Sequence, residues 1–268
     1  MASTPKTELY DTTYRHAAED LYREIRQEAF GMDIGQTSWL TAVEYRTCFS
    51  LLQLTSGMHV LEVAPGTGGP AVFMVQETGC HVTGMDINAE GVLNARHLAR
   101  EHQLEEKLTF LQGDAAAVLP FKNAEFDAVV CIDAINHLDN RPAVLSEWHR
   151  VLKPGGRLLY TDPVVVTGIV SNEELAVRSS IGFFLFSPPG ENERLLQAAG
   201  FHDIAVHDVT GNMEHTSGKW AAARDKRKEQ LMQFEEETNF NGLQAFLDMV
   251  HRLSGERRLS RMLFNAVK

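Results

Sequence analysis

The chain has 268 residues and is 44% hydrophobic, which is enough to bury a substantial core in one α/β domain with insertions. Its formal net charge of −11 argues against a nucleic-acid partner, because nucleic-acid binding relies on Lys and Arg to neutralise phosphates. The basic residues between 224 and 228 are followed by acidic residues at 235 to 237, and we expect a solvated helix face there.

The three cysteines, Cys48, Cys80 and Cys131, are widely spaced and form no metal-ligand pattern. We therefore expect no bound metal and a reducing, cytoplasmic setting. No apolar stretch approaches the roughly 20 residues that span a bilayer, and the polar N-terminus lacks a signal-peptide core. We expect no membrane partner.

The chain starts with helical patterns at residues 13–28 and 41–52, which predict an N-terminal helical cap over residues 1–54. A core over residues 55–163 follows. Predicted strands near 58–63, 80–86, 107–112, 126–131 and 156–162 alternate there with helices near 69–78, 88–103 and 140–152. Residues 154–156, Pro-Gly-Gly, predict the turn from the last of these helices into its strand. This alternation predicts a parallel sheet covered on both faces, with ligands at the carboxyl ends of its strands.

The alternation stops after residue 163. Residues 164–190 and 211–258 are predicted as lid insertions on either side of a helix at 191–199 and a strand at 201–209. A final strand is predicted at 259–267. The prediction is one domain over residues 1–268.

The core is organised around residues 59–88, an apolar strand, a glycine-rich turn, a helix and a second strand that ends at Asp86. Gly66 and Gly68 allow backbone N–H groups to approach a ligand, and the helix N-terminus favours an anionic group. Asp86 is placed to accept hydrogen bonds from both hydroxyl groups of a ribose. The turn also fits the loose GxGxxA fingerprint of NAD-binding proteins, so the turn by itself leaves the cofactor open between two classes.

Five motifs together resemble class I S-adenosylmethionine-dependent methyltransferases in order and spacing; they lie at residues 60–69, 85–88, 113–115, 126–138 and 152–163. The resemblance implies a Rossmann-like, seven-stranded, mostly parallel sheet with an antiparallel last strand, and S-adenosylmethionine as cofactor. It places Glu62 near the methionine end of the cofactor, Asp86 on the ribose and Asp114 at the adenine amino group. The predicted cofactor-binding residues are Glu62, Ala64, Gly66, Thr67, Gly68, Asp86, Ile87, Gly113, Asp114, Ala115 and Cys131.

The first turn departs from the family pattern at one position. Ala64 stands where the family commonly has glycine, and its Cβ disfavours a positive φ. We therefore expect the shape of this turn to differ slightly, while Gly66 and Gly68 keep the cofactor site.

Asp133 and His137 follow the fourth strand and are four residues apart, so one helical turn would place them on the same side. An amine acceptor must lose a proton before it attacks a methyl group, and a histidine that titrates near neutrality is a natural base. Three features resemble the small-molecule N-methyltransferases that act on phosphoethanolamine or on sarcosine and dimethylglycine: the Asp-Ala-Ile-x-His string at 133–137, the spacing of Tyr14 and Tyr22 ahead of a Phe-Gly turn, and the strand that ends in Thr-Asp-Pro at 161–163. In the phosphoethanolamine group a Tyr, Asp and His at the places of Tyr14, Asp133 and His137 are functional, so these three are the predicted catalytic residues. His137 would remove the proton, directly or through Tyr14 or a water, and Asp133 would orient the acceptor.

The favoured function is methylation of a small-molecule acceptor, at an amine nitrogen. Alternatives are O- or C-methylation of a metabolite or natural product, a non-catalytic cofactor-binding protein, and an NAD(P)-binding oxidoreductase, although the Tyr-x-x-x-Lys pattern of the last is missing. Five aromatic residues are candidates either for an amine cage or for core packing: Phe183, Phe184, Phe186, Tyr22 and Trp39. Arg178 stands alone in the first lid segment as a partner for an acidic group. The acceptor and the oligomeric state stay open.

Overall fold

A seven-stranded sheet forms the centre of the protein in the computed structural model, which describes residues 14–268. Its strands are β1 (His59–Val63), β2 (His81–Asp86), β3 (Leu108–Gln112), β4 (Phe126–Cys131), β5 (Leu152–Val166), β6 (His202–Asp208) and β7 (Leu259–Val267). Their order is β3-β2-β1-β4-β5-β7-β6, and the first five strands pair in parallel. Strand β7 runs antiparallel to both of its neighbours. The predicted Rossmann-like sheet with an antiparallel last strand is confirmed.

Ten helices in the described part of the chain surround this sheet. They are α1 (Asp20–Phe30), α2 (Ala42–Leu52), α3 (Gly69–Thr78), α4 (Ala89–Glu101), α5 (Arg141–Val151), α6 (Asn172–Arg178), α7 (Glu191–Ala198), α8 (Thr210–Asp225), α9 (Lys228–Leu231) and α10 (Glu237–Gly255). A single 3-10 turn, Ile135–His137, follows β4. Side-chain caps define several helix starts; the Thr41 hydroxyl, for example, accepts from the N–H of Glu44 at the start of α2.

The two faces of the sheet bury separate cores because alternate residues of a strand point to opposite sides. In β1, Val60 packs into the core formed with α2, α3 and α4. Its neighbours Leu61 and Val63 pack on the other face, against Trp148 of α5 and Phe264 of β7. All of the β1 apolar side chains are fully buried, which fixes the strand beneath the glycine-rich turn.

The strand order reverses between β1 and β4, and this reversal creates the crevice in which such sheets bind ligands. Val63 at the end of β1 is in register with Cys131 at the end of β4. The segments that leave these two strands therefore start side by side. This register brings the turn at residues 64–68 next to Asp133.

One predicted boundary was wrong. Helix α5 ends at Val151 and β5 begins at Leu152, so the Pro-Gly-Gly stretch lies within the strand, where a register shift between Phe126 and Ala128 absorbs the extra residues. The described part of the helix predicted at residues 13–28 is interrupted: Tyr14 and Arg15 are helical, a turn follows at residues 16–18, and α1 begins at Asp20.

The segments outside the alternating core pack on one another. Tyr22 and Ile25 of α1 contact Ala223 of α8 and Phe240 of α10. Arg224 is only 2% exposed and pairs with Glu235 (2.6 Å), which corrects the expectation of a solvated face at this residue. It is buried because α8 packs between α1 and α10. Within residues 14–268 we find no helix with the length and apolar character needed to span a membrane.

Candidate active site

A cavity of about 300 Å³ opens at the crevice between β1 and β4. The ends of β1, β2 and β4 form its floor, and α1, α8, α10 and the segment after α6 form its roof. The three predicted catalytic residues, Tyr14, Asp133 and His137, all line it. So do Glu62, Ala64, Asp86, Ile87, Asp114 and Ala115, six of the residues predicted to bind the cofactor.

The other five predicted cofactor residues, Gly66, Thr67, Gly68, Gly113 and Cys131, do not form the wall. Gly68 has φ 81°, and a Cβ there would lie 2.6 Å from the Cβ of Ala95. The turn can therefore approach α4 this closely only with glycine at this position. Gly113 packs in the same way against the Met85 side chain. These residues shape the site from beneath.

Ala64 adopts a left-handed backbone conformation with φ 57°. Alanine at this position therefore accepts a backbone conformation that its Cβ disfavours. The N–H of Ala64 donates to the carbonyl of Met85 (2.8 Å), and this bond holds the turn against the neighbouring strand.

Asp86 is held firmly at the tip of β2. Its carboxylate is 5% exposed and accepts from the N–H of Gly66 (2.9 Å) and of Asn88 (2.8 Å). Burial raises the pKa of this carboxyl, while these backbone donors lower it. A carboxylate fixed in this way, at the wall of the cavity, can accept hydrogen bonds from the hydroxyl groups of a ligand.

Glu62 is the second buried acid of the wall, and only half of its carboxylate is satisfied. Oε1 accepts from the hydroxyl of Tyr45 in α2 (3.1 Å), whereas Oε2 has no hydrogen-bond partner among residues 14–268. Burial raises the pKa of Glu62 to about 7, opposed by the Tyr45 hydrogen bond. An unpaired buried carboxylate oxygen fits the ammonium group that S-adenosylmethionine carries at its methionine end.

The rim of the cavity near Asp114 is more exposed than the wall at Asp86 and Glu62. Asp114 is exposed, and its Oδ1 accepts from the N–H of Ala116 (2.8 Å), while Ala115 is buried beside it. Ile87 is 45% exposed on the opposite side of the rim. A polar group, Asp114, beside the apolar residues Ala115 and Ile87 suits a flat heterocycle such as adenine, which has a polar edge and apolar faces.

His137 lies at the roof, where Nδ1 is 2.6 Å from the carbonyl oxygen of Phe183. A carbonyl only accepts, so Nδ1 carries the proton and the neutral ring has its lone pair on Nε2. Burial lowers the pKa of His137 to about 4, which corrects the expectation of a histidine that titrates near neutrality. The ring also packs edge-on against Phe184 (4.6 Å between centroids).

The Asp133 carboxylate is already engaged within the protein. Oδ1 accepts from Arg261 Nε and from the Thr161 hydroxyl, both at 2.7 Å, and Oδ2 accepts from the N–H of Trp39 (3.0 Å). The side chain is 5% exposed. Its predicted role in orienting the acceptor therefore has to act through these contacts or in competition with them.

Tyr14 lies over the glycine-rich turn. A Cβ on Gly66 would be 3.2 Å from its hydroxyl, and a Cβ on Gly91 would be 3.2 Å from its ring. Its carbonyl accepts from Asn94 of α4 (2.8 Å). Tyr14 thus covers the part of the cavity next to the glycine-rich turn, where we expect the cofactor; we call this part the cofactor half.

The roof and far end of the cavity form what we call the acceptor chamber, whose wall consists of aromatic and aliphatic residues and two arginines. We use this name for the part lined by Tyr22, Trp39, Arg178, Ile181, Phe183, Phe184, Trp220, Arg224, Leu243 and Phe246. Trp39 packs against Trp220 and Phe246, with centroids 6.0 and 6.1 Å apart. Sequence reasoning missed Trp220, Leu243 and Phe246, because the two helices that carry them are recruited by tertiary packing.

Of the five aromatic residues considered for an amine cage, four line the chamber and Phe186 does not. Phe186 packs instead beside Val164 and Leu253. Arg178 lies over the rings of Phe184 and Phe246, 4.8 and 4.9 Å from their centroids. A cation of the protein itself therefore occupies these aromatic faces.

A family model described as "Methyltransferase domain" matches residues 61–160. Over 122 residues the chain is 43% identical to a sterol 24-C-methyltransferase of Gibberella zeae, an alignment that covers 46% of this chain and 32% of that protein. Over 224 residues it is 28% identical to the 27-O-demethylrifamycin SV methyltransferase of Amycolatopsis mediterranei, with coverage of 81% and 80%.

Among solved structures, the fold matches phosphoethanolamine N-methyltransferase 2 of Haemonchus contortus in complex with phosphomonomethylethanolamine and S-adenosylhomocysteine, with a TM-score of 0.80 and 21% identity. That match covers 97% of this chain and 60% of the other. The sterol enzyme and this structure are therefore longer proteins, of which the chain spans a third and three fifths. Residues 61–160 therefore match a methyltransferase domain, and the chain is similar to S-adenosylmethionine-dependent methyltransferases in its ordered motifs, its sheet and its cavity residues.

Proposed function

We propose that the protein transfers a methyl group from S-adenosylmethionine to a hydroxyl oxygen of a small molecule with a bulky apolar body. The observation that carries the proposal is the pairing of Asp133 with Arg261. An ammonium acceptor would need a carboxylate at this place, and this carboxylate already has a cationic partner.

The remaining carboxylates of the wall support the same conclusion. Glu62, Asp86 and Asp114 line the cofactor half, and Asp139 is exposed. Moving an ammonium ion out of water costs several kcal/mol unless a charge compensates for the lost hydration. Within residues 14–268 the acceptor chamber offers no uncommitted carboxylate for that purpose.

The aromatic wall favours an apolar body over a small polar amine. Trp39, Trp220 and Phe246 present large apolar surfaces to the chamber, and each Å² of apolar surface that a ligand buries there contributes about 25 cal/mol. Arg178 already occupies the ring faces of Phe184 and Phe246. These contacts leave fewer aromatic faces for cation–π contact with a cationic acceptor, whereas a neutral acceptor does not depend on such contact.

The chemistry of His137 also suits oxygen better than an ammonium ion. An alkylammonium has a pKa of about 10.4, so a histidine with a pKa of about 4 could take its proton only at a cost of roughly 9 kcal/mol. A hydroxyl oxygen becomes strongly acidic as its bond to the methyl carbon forms, and a weak neutral base is then sufficient. His137 would accept this proton, while the chamber supplies position and orientation and excludes water.

The test is methyl transfer from radiolabelled S-adenosylmethionine to a panel of acceptors in matched pairs. Each pair shares an apolar body and ends in either a hydroxyl or an amino group; polycyclic and macrocyclic alcohols are included, with phosphoethanolamine and sarcosine as small amines. We expect turnover with hydroxyl acceptors and little with their amino analogues. Preferential methylation of the amines at equal concentration would contradict the proposal and restore the amine hypothesis.

Methylation at carbon is a second candidate. The same apolar chamber would accommodate an unsaturated hydrocarbon chain, and the sterol 24-C-methyltransferase alignment is the one with 43% identity. A carbon acceptor needs no base before the transfer. The panel therefore includes an alkene whose product is distinguished from an ether by mass spectrometry after acid treatment.

A further inference from the structure

A buried ion cluster lies behind the acceptor chamber and joins three parts of the chain. Arg261 of β7 donates from Nε to Asp133 and from Nη1 to Glu44 of α2. The Arg261 side chain is fully buried, and those of Asp133 and Glu44 are 5% and 11% exposed. One guanidinium thus serves two carboxylates that have little access to water.

Asp133 is fixed in one orientation within this cluster. Its backbone has φ 53°, a conformation that non-glycine residues rarely adopt. Its N–H donates to the Thr161 oxygen (2.7 Å), and the Thr161 hydroxyl donates back to Oδ1 (2.7 Å). The carboxylate at the cavity wall is therefore held by Arg261, Thr161 and the N–H of Trp39.

The cluster also holds the chamber wall in place. The N–H of Trp39 donates to Asp133 Oδ2 (3.0 Å), and the Trp39 carbonyl accepts from Asn212 of α8 (3.0 Å), which also pairs with Glu44. Both backbone polar groups of Trp39 are thus bound to the cluster or its partner. The indole of Trp39 is consequently held against the chamber.

We propose that Arg261 determines acceptor specificity by occupying the Asp133 carboxylate, so that the chamber admits neutral acceptors and disfavours ammonium ones. This inference rests on the proposed hydroxyl acceptor. Stability is not a sufficient reason for such a cluster, because buried ion pairs are often no more stable than apolar replacements of similar volume. Burial by itself would lower the pKa of Arg261, but the carboxylates of Asp133 and Glu44 raise it, so the residue stays cationic at any working pH.

The test uses the double variant E44Q/R261L. The native cluster has two carboxylates and one guanidinium, and the variant keeps only the Asp133 carboxylate, so its formal charge is unchanged. The Thr161 and Trp39 donors to Asp133 also remain. The matched control is the triple variant E44Q/D133N/R261L, which removes that carboxylate as well.

The measurement is the ratio of kcat/KM for a hydroxyl acceptor to that for its amino analogue. The pair is 4-phenylbutanol and 4-phenylbutylamine, or the pair that the acceptor panel identifies. Binding of both compounds to the S-adenosylhomocysteine complex is measured by calorimetry as a readout independent of turnover. We expect E44Q/R261L to shift the ratio toward the amine by about 10- to 100-fold, the range for one charge-assisted hydrogen bond, and the triple variant to lose that shift.

The two ideas fail in different ways. A native enzyme that prefers the amine refutes the proposed function, whereas a native enzyme that prefers the alcohol while E44Q/R261L keeps the same ratio overturns the role of Arg261. A shift that persists in the triple variant also overturns it, since Asp133 would then not be the cause. If E44Q/R261L does not fold, R261Q keeps a hydrogen-bond donor without the charge and must show the same direction of change.

Discussion

Cofactor affinity should depend on pH through Glu62. Burial places the pKa of this carboxyl at about 7 in the ligand-free protein, and Oε2 has no partner among the described residues. A cofactor ammonium at Oε2 would favour the ionised form, so binding has to release a proton wherever Glu62 is still protonated. Affinity therefore falls as the pH falls through about 7.

The size of the effect follows from this value. If only the carboxylate binds, the apparent dissociation constant for S-adenosylhomocysteine is multiplied by one plus the ratio of protonated to ionised Glu62. With a pKa of about 7, affinity drops by roughly 25-fold, or about 2 kcal/mol, between pH 7.5 and pH 5.5. About half a proton is released per cofactor at pH 7.

Isothermal calorimetry in buffers of different ionisation enthalpy measures both the affinity and the released proton. Glu62→Gln should give weaker binding with no inflection near pH 7. Any pH dependence that remains in this variant comes from groups other than Glu62, such as those of the ligand, and is subtracted from the native curve. Tyr45→Phe removes the hydrogen bond that lowers the pKa of Glu62, so its inflection should move to higher pH. A native affinity that is constant across this range would refute the assignment of Glu62 to the ammonium.

Three further predictions concern single residues. Asp86→Ala should weaken S-adenosylhomocysteine binding by about 2 to 4 kcal/mol, measured by calorimetry on a protein whose circular dichroism is native, because two charge-assisted hydrogen bonds to the ribose are lost; unchanged affinity would exclude that contact. His137→Ala should lower kcat by about 10²- to 10⁴-fold with cofactor binding intact, and the native kcat/KM should fall only as the pH drops through about 4, where the imidazole gains a proton; native turnover in the variant would place the base elsewhere. Ala64→Gly should raise the free energy of unfolding by up to about 1 kcal/mol in urea titrations, because it removes the strain of a left-handed alanine but increases the conformational entropy of the unfolded chain. A loss of stability would show that the alanine methyl group contributes more than the strain it causes.

The sheet could be predicted from the sequence because each of its strands is marked by neighbouring residues in the chain. Each buried parallel strand is a short apolar run between turn signals, and the order of these runs leaves few topologies open. The boundary at Leu152 was missed because Pro154 and two glycines are typical of a turn, while the pairing of β4 with β5 continues across them through a register shift. Hydrogen bonds between strands decide such a case, and a single stretch of sequence does not contain them.

The acceptor chamber could be predicted only in part, for a related reason. Glu44 and Arg261 are 217 residues apart, and neither has a local pattern that distinguishes it from a surface charge. Asp133 was found through its position after β4, but its pairing with Arg261 depends on how β7 inserts between β5 and β6. The residues that we expect to contact the cofactor follow from motifs, whereas those that we propose to select the acceptor follow from packing.

The position of Tyr14 has a consequence for the kinetics of the enzyme. Because this side chain lies over the turn at Gly66 and its carbonyl is bonded to Asn94, we expect the spent donor to leave only after Tyr14 moves away from this turn. Opening of this kind takes place on the microsecond-to-millisecond scale and often limits turnover in enzymes with covered sites. We therefore expect rapid mixing to show a burst of methylated product equal to the enzyme concentration, followed by a slower steady rate set by exchange of S-adenosylhomocysteine for a fresh donor.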